Sequence, residues 1–211
     1  MATPTKPKRK PAARKKPKAF KWQKMAGKTD EIKDVISTLG REKFIGRAQR
    51  YDEEASFPFE NYDDMRDAGI LAMTVPKSLG GLGVEYADYA LLAAEMGRWC
   101  GATALTYNMH ACTPLWTGHI ADDLEMSAAD RKQHRKNREL HFSRIVENGA
   151  IFAQPFSEGS AAAAGKAPFG TMAAKVDGGW LLNGKKIFAS LSGAATYYGV
   201  LCTEDKADRS V

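Results

Sequence analysis

Apolar positions recur at helical spacing through the first two thirds of the chain and give way to short alternating runs after about residue 150. Ile32, Val35, Ile36 and Leu39 fall three and four apart, which puts them on one face of a helix beginning near Asp30, with Gly40 as its stop. A second helical segment covers about 41–54, and Pro58 separates it from a short helix ending near Asp67. Gly80, Gly81 and Gly83 break the pattern before a long apolar helix from about Asp88 to Trp99. After Gly101 a further helix covers about 103–112 and ends before Pro114, because proline lacks the amide hydrogen that a helix interior needs. Ser127 stands three residues before Asp130 and suits the cap of a charged helix running to about Glu147, with Asn148-Gly149 as its stop.

Beyond Ala150 the runs IFAQPF, TMAAKV, GWLL, KKIFAS and TYYGVLC are short and partly alternating. They are punctuated by Asp177-Gly178-Gly179, Asn183-Gly184 and Ser192-Gly193, pairs that turn readily because Gly and Asn tolerate positive φ. The small-residue stretch SAAAAGKAPFG reads as a loop. The fold class expected is α+β. A disordered basic tail over 1–28 precedes an all-α N-terminal domain over 29–149. An incomplete antiparallel β-barrel-like middle domain follows over 150–211. The text stops at EDKADRSV with only four or five strands laid down and their edges uncovered, so the expectation is a truncated version of something larger.

Charge changes the picture only at the start. Ten of the 31 Lys and Arg fall within residues 1–25, which hold no acid, leaving 21 basic against 25 acidic residues and a mildly acidic body. Nucleic-acid binding by the body is therefore not expected. The tail, with four prolines among its lysines, is read as a solubilising segment; weak adhesion to nucleic acid or anionic lipid is its alternative use. No apolar run reaches the ~18 residues of a membrane-spanning helix, and a cytoplasmic location is expected. Cys100, Cys112 and Cys202 form no C-x-x-C pair and read as free thiols.

The stretch FPFENYDDMRDAGILAMTVPKSLGGLG, with Gly69-Ile70-Leu71, Val75-Pro76 and Gly80-Gly81-Leu82-Gly83 in order, resembles the N-terminal helical domain of the acyl-CoA dehydrogenase family. EYADYALLAAEMGRWCGATAL is similar to that family's next helix. FAQPFSEGS resembles its first middle-domain strand, whose Ser/Thr-Glu pair sits beside the flavin. WLLNGKKIFASLSGAATYYGVL resembles the strand that packs on the isoalloxazine. The sequence departs from the family pattern in several places. Phe188 replaces the usual Trp, Ala189 the following Ile and Gly159 the usual Pro, and SAAAAG replaces the Gly-x-Gly-Ser-Asp run that carries a serine contact to the thioester.

The resemblance implies FAD as cofactor, held by Phe156, Ser157, Phe188, Ala189 and Ser190. It also implies an acyl-CoA thioester as substrate, an electron-transfer acceptor protein as partner and homo-oligomerisation at full length. Phe188 would offer an aromatic face, and Ser190, two residues on along the same strand, a hydroxyl on the same side. Ser157 would donate to the pyrimidine edge. The reaction implied is α,β-dehydrogenation, with a proton lost to a carboxylate and a hydride to FAD. No residue here matches that carboxylate, which the family carries in a C-terminal helical domain, so no catalytic residue is assigned. Glu95 and Glu158 are read as structural, and His110 as a core or pocket-wall side chain. His119, His134 and His141 lack metal-ligand spacing, and no metal is expected. Two alternatives stand: a flavin monooxygenase or nitroalkane-oxidase-like member of the same fold, and a non-enzymatic protein whose basic tail is the active part.

Overall fold

A computed structural model describes residues 20–118, 120–159 and 167–205. The basic run 1–19, His119, the small-residue loop over 160–166 and residues 206–211 lie outside the described residues. Residues 20–28, grouped above with a disordered tail, are folded instead. A 3-10 turn over Lys21–Met25 buries Trp22 and Met25 in the main core. Two large apolar side chains outweigh the local lysines, whose ammonium groups stay in water.

Helix α1 (Thr29–Leu39) buries Ile32 and Ile36 and places Asp30 and Glu31 in its first turn, where the helix dipole favours acids. Gly40 does not stop it. The backbone stays helical through a wide π turn over Gly40–Phe44 and runs on into α2 (Ile45–Glu53). The glycine answers a packing need: a Cβ there would lie 2.1 Å from the Trp99 ring. Helix α3 (Phe59–Asp67) follows Pro58, and α4 (Tyr86–Gly97) lies against both α1 and α5 (Gly101–Gly118). Helix α5 passes through Pro114 rather than ending before it. Packing of its flanking turns against α4, α6 and the first strand outweighs the one backbone bond that proline removes. Helix α6 (Ala128–Asn148) has the expected ends. Ser127 accepts from the Asp130 amide at 3.1 Å, and Gly149 closes the helix at φ 60°.

Strand β1 (Phe152–Ala153) pairs with β4 (Tyr197–Tyr198), and β2 (Met172–Val176) lies between β3 (Gly179–Asn183) and β5 (Thr203–Glu204). Only β2 and β3, joined by the expected Asp177-Gly178 turn, are antiparallel; β1–β4 and β2–β5 are parallel. A two-residue turn forces reversal, whereas the long stretches of chain between β1 and β4 and between β2 and β5 let it return in the same direction. The run KKIFAS forms no strand: Phe188 and Leu191 sit at φ 53° and 72°, a left-handed conformation that ends extended structure. The described strands close no barrel.

One apolar core joins the helices to β1, through Tyr62, Met65, Ile70, Leu92, Met96, Tyr107 and Phe142 to Phe152. Each such side chain contributes roughly 1.5–3 kcal/mol by leaving water. The β2–β3 hairpin stands outside it, with Trp180, Leu181 and Leu182 exposed.

Candidate functional site

A zipper of three contacts sets the first strand on α5. The Phe152 amide donates to His110 Nδ1 at 3.1 Å, Gln154 donates from Nε2 to Thr113 Oγ1, and the Phe156 ring stacks on Trp116. Every second residue of an extended segment meets every third residue of a helix, so the two periods run in step along one face. His110 is fully buried, its other ring nitrogen lies 2.8 Å from the Leu71 carbonyl oxygen, and burial lowers its pKa to about 4. It is a neutral hinge between α5, the turn over Ile70–Ala72 and β1, which accords with its reading as a core side chain.

The Phe156 and Trp116 rings lie 4.6 Å apart and 3° from coplanar, and Trp116 keeps 43% of its surface exposed. Trp116 also lines a groove of about 650 Å³ between α4 and α5, together with Tyr86, Tyr89, Ala93, Asn108 and Cys112 among others. The groove is mostly apolar. The Tyr89 hydroxyl donates to Asn108 Oδ1, which leaves the Cys112 thiol, raised by burial, on the wall. None of the described lining residues is a carboxylate.

The segment beyond Phe156 is held by a polar clamp. The Glu158 carboxylate accepts from the Gly170 amide at 2.6 Å, the Thr171 amide at 2.9 Å, the Thr171 hydroxyl and Lys186 Nζ at 2.6 Å. Both charged side chains are nearly buried, at 6% and 11% exposure. Burial alone would raise the carboxyl pKa, but Lys186 and the three other donors outweigh it and hold it at about 2. Lys186 also donates to the Phe156 carbonyl at 3.3 Å and lies over the Phe169 ring. Gly184 has room for no side chain, since a Cβ would come within 2.4 Å of the Thr171 hydroxyl.

The residues singled out in the sequence are partly gathered here. The Ile187 amide donates to the Ser157 carbonyl at 2.8 Å, so Ser157 lies beside the segment that leads into Phe188, Ala189 and Ser190. The shared strand that was to aim Phe188 and Ser190 to one side does not exist. The Ser190 amide instead turns back to the Phe188 carbonyl at 2.9 Å, and the Phe188 ring is 85% exposed. Glu95 accepts from Ser37 at 2.7 Å and from the Trp99 indole at 3.0 Å, a structural role as expected. None of the three cysteines forms a disulfide, and no group of metal-ligating side chains occurs among the described residues. No helix among them is long and apolar enough to cross a membrane. Sequence reasoning missed Trp116 and the groove wall. The signal was present in Asn108, Cys112, Leu115 and Trp116, which keep helical spacing across Pro114.

Comparison with known proteins agrees with this architecture. The family described as acyl-CoA dehydrogenase, N-terminal domain, matches residues 27–118. A putative acyl-CoA dehydrogenase, YdbM, of Bacillus subtilis (strain 168) is 32% identical over 190 residues, covering 86% of this chain and 46% of its own. The human mitochondrial short-chain specific acyl-CoA dehydrogenase is 29% identical over 76% of this chain and 36% of its own. Among solved structures, butyryl-CoA dehydrogenase from Megasphaera elsdenii matches at TM-score 0.64 and 22% identity, over 85% of this chain and 45% of that one. FMN-bound TdsC from Paenibacillus sp. A11-2 matches at TM-score 0.69 and 19% identity, over 86% and 42%. Those two likenesses concern the fold. The chain spans about half the length of the Bacillus relative and less of the human one. Residues 27–118 match the N-terminal domain of the acyl-CoA dehydrogenase family, and the likeness to a putative member of that family extends over 86% of this chain.

Proposed function

We propose that this chain supplies the acyl groove and one wall of the flavin site of a FAD-dependent acyl-CoA dehydrogenase. The observation that carries the reading is an apolar groove whose wall residue Trp116 stacks on Phe156, the residue next to Ser157. An acyl chain fits a groove whose lining is mostly alkyl and aromatic. The residues present suit a planar cofactor: the Phe188 side chain is largely exposed, Trp116 keeps 43% of its surface exposed while stacking on Phe156, and the Ser157 hydroxyl makes no hydrogen bond among the described residues. FAD, when bound, supplies the hydride-accepting ring. The residues of this chain bind and orient. Tyr89, Leu115 and Trp116 exclude water from the acyl chain, and Ser157 holds a donor toward the ring edge. With no carboxylate among the described residues of the groove wall, proton abstraction is assigned to no residue here. An electron-transfer protein as acceptor, homo-oligomerisation and a cytoplasmic setting belong to the same reading.

The test uses Cys112, which is half-buried on the groove wall while Cys100 and Cys202 are buried. Alkylation of Cys112, followed by mass spectrometry, is expected to slow saturably with butyryl-CoA or a longer acyl-CoA and not with free CoA. Equal protection by free CoA would overturn the groove assignment. Titrated FAD is expected to bind weakly, with its fluorescence quenched, and Phe156→Ala and Ser157→Ala to weaken it further. The chain alone is expected to turn over no acyl-CoA.

Oxygen-dependent flavin chemistry, as in a monooxygenase or nitroalkane oxidase, is the second reading. It is favoured by Gly159 and the SAAAAG run, which replace the family's thioester contact. Oxygen consumption by the reduced holoprotein without acyl-CoA-driven bleaching is its distinguishing result.

A further inference from the structure

We propose that Glu158 and Lys186 are a positioning pair that aims the Ser157 hydroxyl and the Phe156 ring at a planar ligand. The proposal rests on the flavin reading above. The two charges bracket the residue they serve. Glu158 follows Ser157 directly, and Lys186 donates both to Glu158 at 2.6 Å and to the carbonyl of Phe156, the residue before Ser157, at 3.3 Å. The Ser157 carbonyl is itself taken by the Ile187 amide at 2.8 Å. Backbone on both sides of Ser157 is thereby fixed, while its hydroxyl stays outside the network.

The network ties three parts of the chain that share little apolar contact. Glu158 leaves β1, Gly170 and Thr171 lead into β2, and Lys186 follows β3. Thr171 carries the linkage on, its carbonyl accepting from the Thr203 amide at 2.8 Å in β5. Apolar burial is sparse around it, with Ala173, Leu191 and Cys202 the buried apolar side chains among residues 167–205. Hydrophobic packing is non-directional and tolerates small displacements, whereas four converging hydrogen bonds define one geometry. A buried ion pair also adds little net stability over apolar side chains of the same volume, and its best-attested use is to select one arrangement. The pair is neutral as a unit, so it imposes geometry without adding net charge beside a ligand.

The test takes the full chain with FAD as probe and compares wild type, Ser157→Ala, the double variant Glu158→Gln/Lys186→Met, and the triple variant combining all three. Replacing both charges at once leaves none unpaired, and the glutamine carbonyl can still accept from the Gly170 and Thr171 donors, so the double variant is expected to fold, with wild-type circular dichroism and cooperative melting. Its FAD affinity is expected to fall ~10-fold, to about the level of Ser157→Ala, the scale of one charge-free hydrogen bond. The bound flavin's visible bands should lose resolution in both. In the triple variant no further loss is expected, because the pair acts through Ser157. Lys186→Arg should recover part of the affinity. Additive losses in the triple variant, an unchanged affinity and spectrum in the double variant, or its failure to fold would each overturn the positioning role. Absence of FAD binding by the wild-type chain would overturn the flavin reading with it, so the two failures are distinguishable.

Discussion

From α1 to α6 the molecule is held together mainly by buried apolar side chains, whereas after residue 154 much of the same task falls to one ion pair, two threonines and backbone amides. The helical region surrounds Ile32, Phe44, Met65, Leu92 and Met96, each without measurable exposure. The β2–β3 hairpin leaves Trp180, Leu181 and Leu182 in solvent. The difference teaches where each region gets its precision. Helices bury a stripe and are set by packing. Short strands with little to bury are set by directional polar bonds, which suits a segment that must present hydroxyls and ring faces at a defined angle.

The largest break in that comparison comes from the core. Leu92→Ala, at full burial in α4, is expected to cost about 2–5 kcal/mol, while Leu181→Ala, 62% exposed in β3, should stay within about 0.5 kcal/mol. Chemical denaturation of the two variants checks it; equal losses would show that the hairpin is covered in solution.

Acid separates the regions next. His110 is neutral when folded and, with burial the main cause and Arg66 adding to it, takes its proton only at about 4. The unfolded chain takes it near 6.5, so stability from this group is complete above 6.5 and falls as pH drops to about 4, by on the order of 3 kcal/mol. His141, lowered in the same direction, adds to the slope. Glu158 is depressed from 4.5 to about 2, so its contribution is present above 4.5 and is lost as pH falls toward 2. Melting temperatures across pH should flatten in the upper window for His110→Gln and in the lower one for Glu158→Gln.

Gly40→Ala drives a methyl into the Trp99 ring and is expected to cost about 1–3 kcal/mol, with a shift in tryptophan fluorescence. Smallest is Ser127→Ala, which removes the cap of α6 for about 1 kcal/mol and should appear as fraying of 128–131 in amide exchange. Silence at Gly40 would mean that Trp99 is free to move, and the packed region would then be less rigid than its burial implies.

The helices were legible because each carries its own signal. Ile32 and Ile36 mark a face, and Ser127 and Gly149 mark two ends with local hydrogen bonding. Gly40 and Pro114 misled for one reason: each was judged by backbone propensity, and each is overridden by a neighbour distant in sequence. At the site, Ser157 and its closeness to the 187–190 segment were legible through family resemblance, while the orientation of Phe188 was not. Phe188 and Leu191 both take positive φ, with Leu191 buried and Phe188 exposed, an arrangement that no local pattern encodes. Trp116 was hidden behind the misplaced end of α5. Lys186 passed unnoticed because a lysine beside another lysine reads as surface until its carboxylate partner, 28 residues earlier, is known.

By itself the sequence determined the change from helices to strands near residue 150, the caps of α6 and the hairpin turn, since each rests on residues within a few positions of one another, and the family through motifs in order along the chain. Only tertiary structure decided which strands run parallel, where α5 ends, which rings face the groove and which lysine is buried. Those depend on long-range contacts, whose energies exceed the few tenths of a kcal/mol by which local preferences differ.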